Sequence, residues 1–371
     1  MLVVRRRVSR PSVAFLILSV CFFTLAGCQP QSDSPQRDPI ETTPAASQIG
    51  GTAALLEVYF SRPDDPSSRS LRGGPDARLA EAIEQARLSV DVAVLNLDLW
   101  SLRDALISAH RRGVAVRFVA DSDYLASPEI QELAAAGIPV LGDRRESLMH
   151  HKFVLIDRRE VWTGSMNFTL NGAYRNDNNL IRIQSAELAG NYLQEFDEMF
   201  VDDRFGDRSR ADTPKPELEL AGRPAVNLFS PDDDVEARLV ELIGGAQQSI
   251  EVLAYAFTLD SLADALISQA IMGIAVRGVF DAGQARSNQG GEYNRLLEAG
   301  LDVWLDGNAD NMHHKVLIID RETVVTGSYN FSASAEERND ENVLIINDPE
   351  LAAKYLAEFE RIYQLAKSNP D

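Results

Sequence analysis

The sequence predicts an α+β protein built from two tandem copies of one domain, each a mixed β-sheet flanked by helices in α-β-α layers. Two repeats predict the duplication: residues 104–108 (DALIS) recur unchanged at 264–268, and residues 113–117 (GVAVR) recur as GIAVR at 273–277, both at an offset of 160. A repeating unit this long is a whole domain and not the unit of a solenoid. Within each copy, helical and strand-like hydrophobic patterns alternate, which favours a sheet covered by helices on both faces.

The composition is that of a folded globular protein. The chain has 371 residues, of which 45% are hydrophobic and 25% charged, and these values exclude wholesale disorder and a multi-span membrane protein. The formal net charge of −20 disfavours tight, non-specific binding to nucleic acid, which depends on a basic surface. A small basic site inside a cleft is compatible with this charge.

The first 27 residues have the pattern of a secretory signal peptide. Four arginines and no acidic residue occur in the first 12 positions, and residues 13–25 form an apolar run that is too short to span a bilayer comfortably. The run leads into Leu-Ala-Gly followed by Cys28, which resembles a bacterial lipoprotein signal and implies that Cys28 is lipidated after cleavage. The alternative is an ordinary signal peptide followed by a coincidental cysteine.

Residues 28–54 are predicted to be the lipidated cysteine and a disordered tether. The stretch is rich in Pro, Gln, Ser and Thr and poor in bulky apolar residues, so it has too little apolar surface to fold. Cleavage would remove four arginines and Cys21, which leaves a net charge of −24 and one cysteine, and therefore no internal disulfide. Gln29 after the cysteine fits the usual Gram-negative sorting pattern for the outer membrane, if the host has one.

The body is predicted to divide into a first domain at residues 55–205, a linker at 206–224 and a second domain at 225–371; the linker holds three prolines among charged residues. Ser101 and Asp104 have the spacing of a capping box at a helix start, and Gly113 suits the end of that helix. The predicted strands are residues 90–95, 114–120, 153–156, 161–163 and 250–254.

Each copy carries the same polar motif, His-x-Lys-x4-Asp, followed after six residues by Gly-Ser-x-Asn. Its chemistry-bearing residues are His150, Lys152, Asp157, Ser165 and Asn167 in the first copy, and His313, Lys315, Asp320, Ser328 and Asn330 in the second. Two matches in register within a repeat, each with its extension, make coincidence negligible.

The duplicated motif resembles the two signature motifs of the phospholipase D superfamily, and the chain is similar to a two-motif member of it. The resemblance covers about residues 55–365 and implies two phospholipase D-like domains packed as a pseudo-twofold dimer. It implies cleavage of a phosphodiester with no metal and no other cofactor. One histidine forms a phosphohistidine, the other protonates the leaving alcohol, and water or another alcohol then releases the product.

The spacing within the motif is consistent with that chemistry. Alternate side chains of a strand share a face, so the histidine and lysine of each copy point together. Phosphodiester cleavage takes a nucleophile, a proton for the leaving oxygen and donors for the non-bridging oxygens, and two facing copies supply all three. The predicted phosphate ligands are Lys152, Lys315, Ser165, Asn167, Ser328 and Asn330.

Other motif residues are predicted to support the site. His151 and His314 point away from the reacting face and are expected to pack or hydrogen-bond behind it. Asp157 and Asp320 belong to the catalytic signature, but they have the opposite parity to the histidines. They are expected to act as structural supports more than as proton carriers.

The two copies differ downstream of the motif. At 28 residues after each catalytic histidine stand Asn178 and Glu341, where the family usually places a residue that orients the histidine. A carboxylate favours an imidazolium, whereas an amide carries no charge. If each residue serves its own half, His313 is the general acid and His150 the nucleophile; pairing across the halves reverses these roles.

The motifs do not identify the substrate. The lipid anchor, the acidic body and the absence of an interleaved basic and aromatic run favour a phospholipid, with a membrane surface and no obligate protein as partner. A metal-independent nuclease outside the cytoplasm is the alternative within the family. A non-catalytic envelope protein that binds phosphorylated ligands is the alternative of another class, in which binding would survive replacement of either catalytic histidine.

Overall fold

The computed structural model describes residues 56–145 and 147–368. The predicted signal peptide, the predicted lipidation site Cys28 and the predicted tether lie outside the described residues. Among the helices in those two ranges, none combines the length and the apolar character needed to cross a membrane.

The first half is a seven-stranded mixed sheet with its helices. The strands are β1 (Leu56–Phe60), β2 (Ser89–Val94), β3 (Ala115–Ala120), β4 (Val140–Gly142), β5 (Lys152–Ile156), β6 (Glu160–Gly164) and β7 (Asn179–Gln184). The helices are α1 (Pro75–Gln85), α2 (Trp100–Arg111), α3 (Pro128–Ala135), α4 (Leu170–Tyr174) and α5 (Ala186–Phe200). The strand order is β1-β7-β6-β5-β2-β3-β4, with β2, β3 and β4 parallel and the other neighbours antiparallel.

The second half repeats this arrangement and adds one strand. Its strands are β8 (Glu217–Leu220), β9 (Arg223–Ser230), β10 (Ser249–Ala254), β11 (Ala275–Phe280), β12 (Asp302–Leu305), β13 (Lys315–Ile319), β14 (Thr323–Gly327) and β15 (Glu341–Asn347). Its helices are α6 (Val235–Gly244), α7 (Asp260–Ile271), α8 (Ala282–Ser287), α9 (Tyr293–Glu298), α10 (Ala333–Glu337) and α11 (Pro349–Ser368). The strand order is β12-β11-β10-β13-β14-β15-β9-β8.

The predicted strands correspond to β2, β3, β5, β6 and β10. Every residue of β2 and β5 is buried, because helices cover both faces of the sheet, and this explains the nearly continuous apolar runs. The predicted capping box is wrong. Helix α2 begins without a side-chain cap, and the Ser101 hydroxyl instead donates to Asp76 Oδ2 at 2.6 Å.

A shared hydrophobic core joins the two halves. One cluster of buried residues combines Phe153 and Phe196 of the first half with Val316 and Phe359 of the second, whereas two further clusters each belong to one half. Fully burying an aromatic or aliphatic side chain stabilises a fold by about 1.5–3 kcal/mol. The halves are therefore packed against each other as the predicted pair of domains.

The segment predicted to be a linker contains regular structure. Strand β8 lies within residues 206–224 and pairs antiparallel with β9, where Leu218 stands opposite Ala225. Leu218 and Leu220 are buried, so this part of the segment extends the second sheet. The division of the body at residues 205 and 224 remains a prediction.

Chain segments of the two halves cross where β5 and β13 begin. The His150 amide donates to the carbonyl of Asp340 at 3.0 Å, and the His313 amide donates to the carbonyl of Asp177 at 2.9 Å. These hydrogen bonds hold the first motif against the start of β15 and the second against the start of β7. The fold thus brings both motifs to the boundary between the halves.

Candidate active site

The histidine and lysine of each motif stand side by side at the start of a central strand. Lys152 Nζ donates to the carbonyl of His150 at 2.8 Å, and Lys315 Nζ donates to the carbonyl of His313 at 2.9 Å. Both histidines are only 5% exposed. The four side chains therefore occupy two equivalent, nearly buried positions.

The two motif pairs meet in one site. Burial is the main reason that the pKa of His150 lies well below its usual value, and the ammonium charges of Lys152 and Lys315 lower it further. The pKa of His313 is lowered by burial and by the same two lysines. The pKa of each histidine is thus lowered by a lysine of its own half and by the lysine of the other half, as expected if the two motifs form one site.

Each catalytic histidine is oriented by a residue of the opposite half. His150 Nδ1 donates to the Glu341 carboxylate at 2.7 Å, and His313 Nδ1 donates to Asn178 Oδ1 at 3.0 Å. Pairing within each half is therefore wrong. The assignment of His150 as nucleophile and His313 as general acid depended on that pairing. Spacing in the sequence did not reveal this because strands β7 and β15 each begin at the boundary and reach the other half.

The proton positions follow from these partners. Asn178 Nδ2 donates to the carbonyl of Gly172 at 2.9 Å, which fixes Asn178 Oδ1 as the acceptor for His313. A carboxylate and an amide oxygen both accept, so each histidine carries a proton on Nδ1 and presents Nε2 to the space between the motifs. Burial raises the pKa of Glu341 to about 7, although Lys152 opposes this shift. Only His150 thus has a partner that can carry negative charge, and the two imidazoles are unequal.

The lysines are the cationic groups of the site. Burial lowers the pKa of Lys152 to about 7, and burial together with the charge of Lys152 lowers that of Lys315. In the described part of the chain, neither ammonium forms an ion pair with a carboxylate. A bound phosphate would supply the missing counter-charge and raise both pKa values.

The predicted role of Ser165 and Ser328 as phosphate donors needs correction. Both side chains are fully buried. Ser165 Oγ donates to Asn178 Oδ1 at 2.9 Å and accepts from the Asn179 amide at 3.1 Å, and Ser328 hydrogen-bonds Glu341. The hydroxyls therefore support the residues that orient the histidines, and their hydrogen atoms do not face the substrate.

Asn167 and Asn330 stand two residues after the two serines. The side-chain oxygen of each is buried and without a hydrogen-bond partner among the described residues. Ser165, two positions before Asn167, accepts from His313 Nδ1 through its carbonyl at 3.1 Å. The amides thus stand in segments that touch the site.

Asp157 and Asp320 lie at the far ends of β5 and β13, away from the reacting groups. The Asp157 carboxylate accepts from three consecutive amides, those of residues 87–89. Asp320 does the same with the amides of residues 247–249. The third residue of each signature thus ties a β-hairpin to the start of the neighbouring strand and does not reach the reacting centre.

His151 and His314 lie behind the site in a second hydrogen-bond network. Asn342 Nδ2 donates to His151 Nδ1 at 3.3 Å, and Asn179 Nδ2 donates to His314 Nδ1 at 3.0 Å. Each amide oxygen accepts from a threonine of the opposite half, Thr163 or Thr326. The network therefore fixes the tautomers and joins the halves a second time.

Sequence reasoning missed two glutamates that complete this network. Glu195 of α5 accepts from His151 Nε2 at 2.8 Å, and Glu358 of α11 lies 3.5 Å from His314 Nε2. A signal for both was present, because the blocks YLQEF at 192–196 and YLAEF at 355–359 repeat at the motif offset of 163. An acidic residue kept on an otherwise apolar helix face points to a buried partner.

Tyr255 was also missed. Its ring meets the His313 ring edge-on with centroids 4.5 Å apart, and Lys315 Nζ lies 4.8 Å from its centroid. Gln284 Nε2 donates to the Tyr255 hydroxyl at 3.0 Å. The residue at the same place in the first copy is Leu95, so one wall of the site is aromatic and the other aliphatic.

Within residues 56–145 and 147–368, no group of three or more histidine, cysteine, aspartate or glutamate side chains is arranged to hold a metal ion. The groups that meet at the boundary are two imidazoles and two ammonium groups. This set can bind an anionic phosphodiester, attack it and protonate its leaving oxygen.

Known proteins match both halves of the chain. A family model described as "Cardiolipin synthase, PLD-like domain" matches residues 79–200 and 239–363. The "Phospholipase D" of Rickettsia felis is 38% identical over 141 residues, which cover 37% of this chain and 68% of that protein. The "Mitochondrial cardiolipin hydrolase" of Chlamydomonas reinhardtii is 30% identical over 131 residues, 35% of this chain and 58% of that protein.

A solved structure matches the two halves together. The phosphatidylserine synthase of Haemophilus influenzae Rd KW20 aligns over 78% of this chain and 83% of its own, with a TM-score of 0.58 and 15% sequence identity. At this identity the comparison establishes the fold alone. Because the alignment spans both halves of the chain, that fold includes both domains.

Proposed function

Because this chain belongs to the phospholipase D superfamily, whose domain model matches both of its halves, we propose that it is a phosphodiesterase that removes headgroups from phospholipids. The products are phosphatidic acid and the free headgroup alcohol. A second alcohol in place of water makes the same site a transferase. The observation that carries the proposal is the meeting of two buried histidine–lysine pairs, each histidine held by a residue of the opposite half.

The unequal partners support a division of labour in the first step. His313, beside the neutral amide of Asn178, is the neutral imidazole and attacks phosphorus with Nε2. The Nε2–P bond forms while the bond from phosphorus to the headgroup oxygen breaks. Burial and the two lysines lower the pKa of His150, but the Glu341 carboxylate and the bound phosphate both favour its protonated form. In that form His150 donates the proton on Nε2 to the leaving oxygen.

The second step reverses these movements. Water enters, His150 takes one of its protons, and the water oxygen attacks phosphorus. The Nε2–P bond breaks, which returns neutral His313, protonated His150 and phosphatidic acid. Charge builds on the non-bridging oxygens in both steps, where Lys152 and Lys315 stabilise it in a site largely closed to water.

The cellular location is also a proposal. We infer that the chain is exported, lipidated at Cys28 and anchored in a bacterial envelope, at the outer membrane of a Gram-negative host. The N-terminal sequence supports this, and the anchor would keep the site beside its substrate. Metabolic labelling with a clickable fatty acid should mark the wild-type chain and not Cys28→Ser; label on both would contradict the anchor.

The proposed activity is tested with two substrates offered in parallel. Purified full-length protein, His150→Ala and His313→Ala are incubated with mixed phospholipid vesicles and with single-stranded DNA, with EDTA present. Release of phosphatidic acid by the wild type, lost in both variants, is the expected result.

Two other outcomes would change the assignment. DNA cleavage without lipid turnover would make the protein a nuclease. Binding of lipid that survives in both variants, with no turnover by the wild type, would make it a binding protein.

A further inference from the structure

The main chain of each catalytic histidine is held by an aspartate of the opposite half. The Asp340 carbonyl accepts from the His150 amide at 3.0 Å, and the Asp177 carbonyl accepts from the His313 amide at 2.9 Å. The amide of each aspartate donates in turn to the carbonyl two residues before that histidine, at 3.0 and 2.9 Å. A displacement of either aspartate would therefore displace the backbone of a catalytic histidine.

The residue after each aspartate holds the ring of the same histidine. Glu341 accepts from His150 Nδ1 at 2.7 Å, and Asn178 accepts from His313 Nδ1 at 3.0 Å. Two consecutive residues of one half thus fix both the backbone and the ring of a histidine in the other half. Because proton transfer and attack on phosphorus need the reacting groups within about 0.5 Å of their productive places, the position of these two-residue segments matters for the reaction.

An arginine fixes the segment that begins with Asp340. Arg145 forms an ion pair with the fully buried Asp340 carboxylate, and its Nη1 donates to the carbonyl of Arg338 at 3.0 Å. The Gly206 amide donates to Asp340 Oδ1 at 2.6 Å. Arg145 precedes His150 by five residues, so these contacts join the second-half segment to the loop that leads into that histidine. We call them the Arg145 clamp.

A different arginine fixes the segment that begins with Asp177. This buried carboxylate forms an ion pair with Arg361 of α11, and Asn308 Nδ2 donates to its other oxygen at 2.8 Å. Asn308 precedes His313 by five residues and so takes the place that Arg145 has in the first half. The cation at this end therefore comes from a helix and not from the loop before the histidine. We call these contacts the Arg361 clamp.

The repeat does not account for the likeness of the two clamps. The two aspartates correspond to each other at the motif offset of 163, but Arg145 corresponds to Asn308, and Arg361 corresponds to Glu198. The arginines thus reach equivalent carboxylates from positions that the duplication does not relate. The recurrence of this contact indicates that each aspartate needs a cation because of its place in the site.

We propose that Arg145 and Arg361 are positioning residues of the reaction, each acting through the aspartate of its clamp. The Arg145 clamp holds His150 where it can protonate the leaving oxygen. The Arg361 clamp holds His313 where it can attack phosphorus. A guanidinium suits this role, because its planar donors fix the direction of a carboxylate as well as its distance. This inference rests on the proposed phosphodiesterase function.

Variants that remove one charge test the proposal in the full-length protein. Asp340→Asn and Asp177→Asn keep the backbone hydrogen bonds and remove the anion of each clamp. Asp91→Asn is the matched control, because Asp91 of β2 is also buried and accepts from Arg117 Nε of β3 at 2.6 Å. Each protein receives phospholipid vesicles and, separately, a phosphodiester of p-nitrophenol, whose leaving group needs little protonation.

Each clamp variant should show, in weaker form, the substrate dependence of the histidine that it serves. Asp340→Asn should lower headgroup release about tenfold and leave the burst of p-nitrophenolate unchanged, as a misplaced acid would. Asp177→Asn should lower both about tenfold, as a misplaced nucleophile would. Asp91→Asn should lower Tm and change neither activity. His150→Ala and His313→Ala, measured alongside, give the reference patterns; a clamp variant that follows the control instead of its histidine overturns the proposal.

A double variant tests whether the arginine acts through the aspartate. Arg145→Gln should match Asp340→Asn on both substrates. The two changes together should cost no more than either alone, because both remove the same contact. Additive losses would show that Arg145 acts by another route and would overturn its assignment.

Nitrogen-15 NMR of histidine-labelled protein separates failure of the clamps from failure of the proposed function, because it needs no turnover. The Nδ1 protons of His150 and His313 are assigned from the two alanine variants. Asp340→Asn should shift the His150 signal and leave that of His313 unchanged, and Asp177→Asn should do the reverse. If the wild type acts on neither substrate, the phosphodiesterase function fails; signals that shift at neither histidine, or equally at both, reject the positioning role independently.

Discussion

The two halves hold their inner histidines with equivalent glutamates placed in opposite surroundings. Glu195 faces His151 in the first half, and Glu358 faces His314 in the second. One helical turn further on, the first half has Glu198 where the second has Arg361, at the same offset of 163. The difference between Glu198 on α5 and Arg361 on α11 thus reverses the sign of the charge next to the inner glutamate of each half.

The consequence appears in the proton affinities. Burial and the neighbouring carboxylates, Glu198 foremost, raise the pKa of Glu195 well above its usual value. Burial acts in the same direction on Glu358, but His314 and Arg361 outweigh it and hold the pKa of Glu358 low. The repeated motif therefore determines geometry, whereas the residues around it determine charge.

The same division separates the catalytic histidines. Glu341 and Asn178 occupy equivalent positions and accept equivalent hydrogen bonds, but only Glu341 can carry a charge. The comparison teaches that a duplicated site acquires distinct acid and nucleophile roles through neighbours of the motif, with the motif itself unchanged.

Replacing the catalytic histidines should give the largest effect and tests the assigned roles. We expect His150→Ala and His313→Ala to lower headgroup release by at least about 10³-fold, since proton transfer alone contributes about 10²–10⁴-fold. A phosphodiester with a p-nitrophenolate leaving group needs little protonation, so it should restore a single burst of p-nitrophenolate to His150→Ala, whose second step still lacks its base. His313→Ala should give no burst. Trapping a phosphohistidine on His150 would contradict the assignment.

Exchanging the partners of the histidines should shift the pH profile. Glu341→Gln removes the anion that stabilises protonated His150, so its pKa falls and the alkaline limb of kcat moves to lower pH, with kcat reduced about 10²-fold. Asn178→Asp is the matched change, and it should raise the pKa of His313 and move the acid limb to higher pH. Equal shifts of the same limb in both variants would show that the histidines are equivalent.

Swapping the unequal walls should have a smaller effect. Tyr255→Leu gives the second half the residue of the first and removes the ring beside Lys315, so we expect kcat/KM to fall about 30-fold, as a desolvated cation–π contact of about 2 kcal/mol would imply. Tyr255→Phe keeps the ring and is the control for packing. Loss in Tyr255→Phe equal to that in Tyr255→Leu would assign the effect to the hydroxyl.

The smallest expected effect concerns stability. Burial and Glu195 raise the pKa of Asp232 to about 9, and neither of its oxygens has a hydrogen-bond partner in the described residues. The folded state therefore retains a proton that the unfolded state releases above pH 4, so stability declines between pH 4 and 9. Asp232→Asn should lessen this decline and raise Tm at pH 8 by about 2–4 °C.

Glu358→Gln tests the surroundings of the second inner glutamate, as Asp232→Asn tests those of Glu195. The lowered pKa of Glu358 means that its contribution is present above pH 4.5 and is lost as the pH falls. The variant should therefore lower Tm at neutral pH, with the difference shrinking in acid. Calorimetric scans at pH 2 to 9 check both variants, and parallel curves for the two would show that Glu195 and Glu358 have equivalent electrostatic surroundings.

Much of the fold and part of the site could be predicted from sequence. Strand periodicity placed His150 with Lys152, and the repeat predicted two facing copies. The partner of each histidine could not be predicted from spacing. Asn178 follows His150 by 28 residues in the sequence, but in the structure its side chain contacts His313 across the boundary between the halves. The serines were misassigned because spacing gives no information about which buried acceptor, here Asn178 or Glu341, a hydroxyl prefers.

The crossed hydrogen bonds have a genetic consequence. In an assembly of two identical chains, one mutation alters both copies of a site, so both histidines would change their partners together. In this chain the partners of His150 and His313 are encoded separately, at Glu341 and Asn178. Fusion of the copies into one gene thus lets a mutation change the partner of one catalytic histidine and leave the partner of the other unchanged. Two chemically identical imidazoles can in this way acquire different roles through single substitutions.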